Sequence, residues 1–275
     1  MTDKKLTRSF RLTGLFALLA LTGLSSCEKV IDINLNKSEK KYVVEAIVTD
    51  QSGARVLLSQ TKDFEDNNNF AGVSGAVVEI TENGGATTTL SETTTTGVYE
   101  APALIGSTGK TYSLSVKVNG QSFTAVSAMP QKVNLDTIYI TDEFLFGDTR
   151  KIVNIEYKDP PGRGQYYRFV QYLNGRKETE IFVQNDEYTD GRNVTNKLFY
   201  FPDDDEDNRK IKSGDQVRIE MFCTDANVYK YWYSLYRSAT GESQATPSNP
   251  VSNMKGGALG YFSAQTSQVK TMIAP

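Results

Sequence analysis

Tyr112-Ser113-Leu114-Ser115-Val116-Lys117-Val118-Asn119-Gly120 is the stretch on which the fold turns. Tyr112, Leu114, Val116 and Val118 alternate with Ser113, Ser115 and Lys117. A period of two gives one apolar and one polar face, which is a half-buried strand. Asn119-Gly120 then supplies the positive φ angles of a two-residue hairpin turn, and Gln121 to Ala128 returns as the partner strand.

Upstream the same signals repeat. Tyr42 to Thr49 is rich in β-branched residues and ends at the turn sequence Asp50-Gln51-Ser52-Gly53. Further strands are expected at Arg55–Gln60, Gly75–Thr81, Thr87–Glu92 and Val98–Ala101. The Thr93–Thr96 run reads as an exposed loop or strand edge rather than a glycosylated stalk. Strands this short and this regularly punctuated predict a β-sandwich over residues 42–130. Met129-Pro130 marks its end, because proline breaks strand pairing.

Downstream, residues 131–275 predict a second β-rich domain. Its expected strands are Val133–Ile140, Arg150–Lys158, Tyr166–Leu173, Glu178–Gln184, Leu198–Phe201 and Asp215–Thr224. Asn174-Gly175 makes the Tyr166–Gln184 segment a hairpin. One helix is expected over 226–240, capped by Asp225 or Thr224 and followed by Gly241. Tyr229, Trp232, Tyr233 and Tyr236 form one aromatic stripe on it, and the preferred reading packs that stripe on a sheet. Ala258–Ala264 and Val269–Ile273 are two late segments available to close a sheet. The predicted class is therefore mainly β: an Ig-like sandwich, then a β-rich domain carrying one aromatic helix.

The amino end carries an address. Lys4, Lys5, Arg8 and Arg11 precede an apolar run from Leu12 to Leu21. The run is shorter than the ~20 residues of a membrane span. It closes on Leu24-Ser25-Ser26-Cys27, which resembles the lipobox of bacterial lipoproteins. Residues 1–26 are then a signal peptide, Cys27 carries lipid (palmitate among its acyl chains), and residues 27–41 form a tether. The alternatives are an ordinary secretory signal cut near Ser25 and an uncleaved anchor.

Composition narrows the chemistry. With Cys27 lipidated, Cys223 has no disulfide partner, and without histidine to activate it the thiol reads as buried and inert. The absence of histidine removes Ser-His-Asp and Cys-His catalysis and the usual His-containing zinc sites. Loss of residues 1–26 takes away four basic side chains and one acidic, leaving 26 against 32 and a side-chain charge of −6. A mildly acidic body does not suit nucleic acid.

Asp203, Asp205 and Asp207 lie in an acidic run that offers oxygens to Ca²⁺. The run lacks the Asp-x-Asp-x-Asp-Gly spacing of a calcium loop, so a solvated loop is preferred and no cofactor is expected. Tyr166 and Tyr167 are adjacent on a strand and point to opposite faces, which offers one of them to a ligand. Asp136-Thr137-Ile138 resembles the Bacteroidota O-glycosylation motif at Thr137, against an ordinary strand threonine. Gly256-Gly257-Ala258-Leu259-Gly260 is a tight turn rather than a phosphate loop. Asn193-Val194-Thr195 is a glycosylation triplet of little meaning in a bacterium.

The ordered features resemble the Bacteroidota outer-membrane lipoproteins grouped as domain-of-unknown-function family 4249. The residues that carry the resemblance are Cys27 with Glu28–Ile33, Tyr42–Ala46, Val73–Val78, Gly97-Val98-Tyr99 and Gly109–Leu114. Tyr229, Pro247, Asn253, Gly256-Gly257 and Gly260-Tyr261-Phe262 continue it. The resemblance implies an outer-membrane, lipid-anchored protein whose first half is transthyretin-like, with the periplasmic or surface face left open. It also implies an accessory of a TonB-dependent transporter, and brings no catalytic residues. The expected function is non-enzymatic ligand capture beside such a transporter. The alternatives are a cell-surface adhesion or scaffold protein, and a carboxylate-pair hydrolase with Glu156, Glu178 or Glu180 as nominal candidates.

Overall fold

Asn119 and Gly120 adopt φ angles of 48° and 76°, and they join β6 (Thr111–Val118) to β7 (Gln121–Ala128) as the expected hairpin. Tyr112, Leu114, Val116 and Val118 are buried, whereas Ser113 and Lys117 are exposed. The computed structural model describes residues 39–62, 70–145, 147–199, 209–239 and 249–275. The signal peptide, Cys27, most of the tether and the acidic run with Asp203, Asp205 and Asp207 lie outside the described residues.

The protein is mainly β. Before the central hairpin come β1 (Tyr42–Thr49), β2 (Gly53–Gln60), β3 (Val77–Glu82), β4 (Thr87–Glu92) and β5 (Val98–Ala101). After it come β8 (Leu135–Leu145), β9 (Asp148–Lys158), β10 (Tyr166–Leu173), β11 (Arg176–Lys177), β12 (Phe182–Asn185), β13 (Asn193–Leu198) and β14 (Gln216–Thr224). Helix α1 (Ala226–Ala239) and the last strand, β15 (Leu259–Ile273), complete the chain.

Twelve strands share one hydrogen-bonded sheet: eleven follow the path β11-β10-β14-β15-β1-β2-β5-β4-β3-β6-β7, and β12 pairs with β10 off it. The path folds back at β4, which pairs with β3 through Thr87–Leu90 and with β5 through Ser91 and Glu92. The fold-back brings Val44, Val56 and Leu58 into one core with Ile80, Leu114 and Phe123, which is a sandwich. β13, β9 and β8 form a separate three-stranded sheet. Val153, Ile155 and Tyr157 of that sheet pack with Phe169, Ile219 and Met221 of the large one as a second core.

Met129-Pro130 falls between the strands of the two cores, but the chain's end does not respect that division. Phe262 and Ala264 of β15 belong to the first core, and Met272 packs on the second. Residues Leu259–Gln265 of β15 run parallel to β1. Residues Thr266–Ile273 run antiparallel to β14. Glu39–Pro275 accordingly form one compact unit.

Side chains reinforce the junction. The Ser127 hydroxyl of β7 donates to Asp225 Oδ2 at 2.6 Å and accepts from the buried Ala264 N–H at 2.9 Å. Asp225 Oδ1 accepts from the N–H groups of Asn227 and Val228, so Asp225 rather than Thr224 caps α1. Ser267 N–H of β15 donates to Asp50 Oδ1 at 2.7 Å, just beyond β1.

Three expectations change. Residues 258–264 and 269–273 are not two strands but parts of one, because the polar Gln265–Gln268 segment between them stays extended and hydrogen-bonded. A strand runs over Asn193–Leu198, upstream of the expected Leu198–Phe201, of which Tyr200 and Phe201 lie outside the described residues; only Val194 and Leu198 of it are fully buried. The expected strand Glu178–Gln184 is interrupted. Its buried Glu178 is held by Arg176 and Arg209, and regular pairing resumes at Phe182.

Gly260 has a φ of 93°, and a Cβ there would stand 2.0 Å from the Val44 carbonyl oxygen. The parallel pairing of β15 with β1 therefore needs glycine at this position. Gly260→Ala should cost about 2–4 kcal/mol from strain plus backbone clash. In a thermal melt the midpoint should fall by roughly 5–15 °C. A melt unchanged from wild type would contradict this pairing.

Candidate functional site

Helix α1 is laid on the large sheet by its aromatic residues. The Tyr231 and Trp232 rings lie 4.9 and 5.2 Å from the buried Tyr261 of β15. The Arg168 guanidinium of β10 sits 3.6 Å over the Trp232 ring, a cation–π contact that clamps helix to sheet. Burial holds Arg168 below its ordinary pKa, while Tyr261, Tyr172, Glu220 and Glu45 oppose that shift. Burial pushes Tyr231 and Tyr261 up to about 12, so both stay neutral phenols. The ring of Tyr229 stands 5.0 Å from Tyr166 and 5.6 Å from Tyr233.

The far end of the stripe is left for something else. Tyr233 and Tyr236 form one wall of a cavity of about 480 Å³, with Phe169, Phe182, Leu198 and Phe199 opposite. These residues come from β10, β12, β13 and the residue just after it, so the cavity lies where the helix, the large sheet and the small sheet meet. Tyr233 and Phe199 each keep 42% of their surface exposed. The volume falls within the usual range for small-molecule sites, and the lining is chiefly apolar.

The polar residues at this cavity are held by partners outside its lining. Thr179 Oγ1 accepts from Arg209 at 3.0 Å, and Glu180 pairs with the same guanidinium at 3.4 Å. Lys197 pairs with Glu143 at 2.7 Å. Gln184 Oε1 accepts from the Tyr157 hydroxyl at 2.9 Å and from Asn196 Nδ2. Among the described residues, no group of three or more Asp, Glu, His or Cys side chains is placed to hold a metal ion.

The residues singled out from sequence are scattered. Tyr166 is half-buried and meets Tyr229 of the helix in a tilted ring contact, outside the cavity lining. Tyr167 is fully buried and is corrected from ligand candidate to core residue. Its hydroxyl donates to Asp159 Oδ1, and its ring lies 4.8 Å from Tyr157. Thr137 is half-buried on β8, an edge strand, just past an irregularity in the pairing. Glu178 and Glu180 share Arg209, while Glu156 on β9 accepts from Thr195 at 3.3 Å. Cys223 is a buried free thiol that accepts from Val133 N–H at 3.4 Å. The cavity residues Phe182, Leu198 and Phe199 were not foreseen.

The chain is thus a mainly β protein with two packed cores and an apolar cavity beside an aromatic helix. Its family is known: the chain belongs to the family described as Domain of unknown function (DUF4249), whose model matches residues 28–271. No curated protein matches the chain. Among solved structures, a two-domain fibronectin type III segment from chicken tenascin is similar at 10% identity. The likeness covers 85% of this chain and all of that one, but its TM-score of 0.24 is too low to carry an argument.

Asp159 is fully buried, and its Oδ2 accepts no hydrogen bond among the described residues. Burial raises its pKa; the Tyr167 hydrogen bond opposes this, and the neighbouring Asp186 and Asp190 add to it. A carboxyl raised in the folded state stabilises the fold at low pH. That contribution fades as pH rises from the unfolded value near 3.8 through the folded one. Asp159→Asn has no proton to lose. Urea midpoints should therefore show the variant gaining on wild type as pH goes from about 4 to about 7. A constant difference across that range would contradict the assignment.

Proposed function

We propose that this protein is a lipid-anchored outer-membrane protein that captures a small ligand beside a TonB-dependent transporter, without transforming it. The observation that carries the reading is the half-open apolar cavity beneath α1, walled by Tyr233, Tyr236, Phe182 and Phe199. A cavity of this size on a rigid β scaffold suits binding. The lipobox-like Leu24-Ser25-Ser26-Cys27 puts such a body at an envelope membrane. Each buried methylene of the lipid contributes ~0.8 kcal/mol, and two acyl chains already hold a protein firmly.

The non-enzymatic reading rests on the chain's chemistry. There is no histidine for general base work. The nominal acids Glu178 and Glu180 are both engaged by Arg209, so these two are not a free acid–base pair. A resident cofactor has no role in this proposal.

Two measurements test it. Cys27→Ser should abolish palmitate labelling and move the protein from the membrane to the soluble fraction. Mild-detergent affinity purification of the wild type from native membranes should recover a TonB-dependent receptor. Retention of Cys27→Ser in the membrane would remove the anchor. Repeated recovery of matrix or surface proteins, with no receptor, would favour the adhesion or scaffold alternative.

A further inference from the structure

The cavity's polar groups restrict what it can hold. Both charged side chains that line it are engaged within the protein, Glu180 by Arg209 and Lys197 by Glu143. Gln184 has its carbonyl oxygen occupied by Tyr157 and Asn196. The hydroxyl oxygen of Thr179 already accepts from Arg209. What these groups leave for a ligand is the Thr179 hydroxyl proton and the Gln184 amide N–H groups, which are donors without charge.

A charged group seated against these rings would give up part of its water and find both charged lining residues already paired, which disfavours it. A polyhydroxylated sugar would find, besides the phenol oxygens of Tyr233 and Tyr236, chiefly ring faces and acceptors already engaged within the protein. Aromatic faces, by contrast, are plentiful: Phe169, Phe182, Phe199, Tyr233 and Tyr236 surround the space. Offset or edge-on contact of a ring with such side chains contributes about 0.5–1.5 kcal/mol beyond area burial.

We propose that the cavity takes an uncharged ligand with a planar, apolar body, oriented by one acceptor atom facing Gln184 and Thr179. This rests on the capture reading and specifies its cargo. It separates the protein from sugar-capturing partners: the occupant is a hydrophobic, ring-bearing small molecule, read by stacking rather than by an ion pair.

The test uses the full chain carrying Cys27→Ser, purified without detergent, so that no lipid or micelle competes. The probe is N-phenyl-1-naphthylamine, which is uncharged and brightens in apolar surroundings. It should bind at one site per chain. Tyr233→Ala should weaken it about tenfold. Ala239→Trp, which fills the cavity from an exposed helix position, should weaken it at least as much, and Tyr188→Ala, at an exposed tyrosine outside the lining, should not change it. Circular dichroism confirms that each variant is folded. 1-Naphthoate, with a comparable ring and a carboxylate, should bind at least about tenfold more weakly.

Naphthoate binding as tightly as the neutral probe, or maltotriose displacing that probe, would overturn the ligand class while leaving capture intact. Binding insensitive to both Tyr233→Ala and Ala239→Trp would place the probe elsewhere and overturn the site. Failure of every probe to bind would overturn both this proposal and the cavity as a capture site.

Discussion

The parallel pairing of β1 with the first half of β15 is the constraint on which the rest of the structure depends. The two strands are the first and last of the described fold, and their register runs from Val43 with Leu259 to Thr49 with Gln265. Parallel pairing between chain ends closes a loop of more than 200 residues, which costs entropy but little more than a loop half as long. What makes the pairing fit is local. Gly260 lets the backbone approach Val44, and Asn253 bonds both the N–H and the carbonyl of Phe262 on the other side of the strand. From that fixed start β15 extends to β14, so the same strand that completes the first sandwich sets the second. The helix follows, because Asp225 at its cap also holds Ser127 and Ala128 of β7. The cavity comes last, as the space between a helix so placed and the two sheets.

Most of the strands were legible because their signals are local. Asn119-Gly120 and Asn174-Gly175 both adopt the positive φ angles their sequence demands. Val217, Ile219, Met221 and Cys223 alternate inward along β14 as their spacing requires. The long strand β15 was read as two because Gln265-Thr266-Ser267-Gln268 looks like a polar break. In the fold those residues are extended and engaged. Gln265 accepts from Ser263, and Gln268 bonds the backbone of Val133 and Leu135 across to the second core. Apart from the Thr266 hydroxyl, which has no hydrogen-bond partner among the described residues, polarity there reflects hydrogen bonds made in a junction, which a hydrophobic pattern does not display. β13 was misplaced for a similar reason, since Val194 and Leu198 are its only fully buried residues.

The site was legible only in part. The aromatic stripe of α1 was visible from helical spacing, but its division was not. Tyr231 and Trp232 serve as anchors on Tyr261, while Tyr233 and Tyr236 face the cavity. Tyr167 could have been assigned to the core from its parity with Phe169 and Leu173 along β10, all three buried. Phe182 and the adjacent Leu198 and Phe199 carried no signal, because they are brought together from two separate chain segments. Membership of the family fixes the chain's kinship, while the character of the cavity follows from side chains already held by partners outside its lining.

Native-state hydrogen exchange on the full chain, in increasing denaturant, tests the central claim most directly. If β15 makes one cooperative body of both cores, the amides of Val44 and Ala46 in β1 and of Ile219 and Met221 in β14 should merge into a single opening of equal free energy. Protection of β1 that persists after β14 has exchanged would show two independently stable domains. That result would contradict the account of β15 as the strand on which both halves depend.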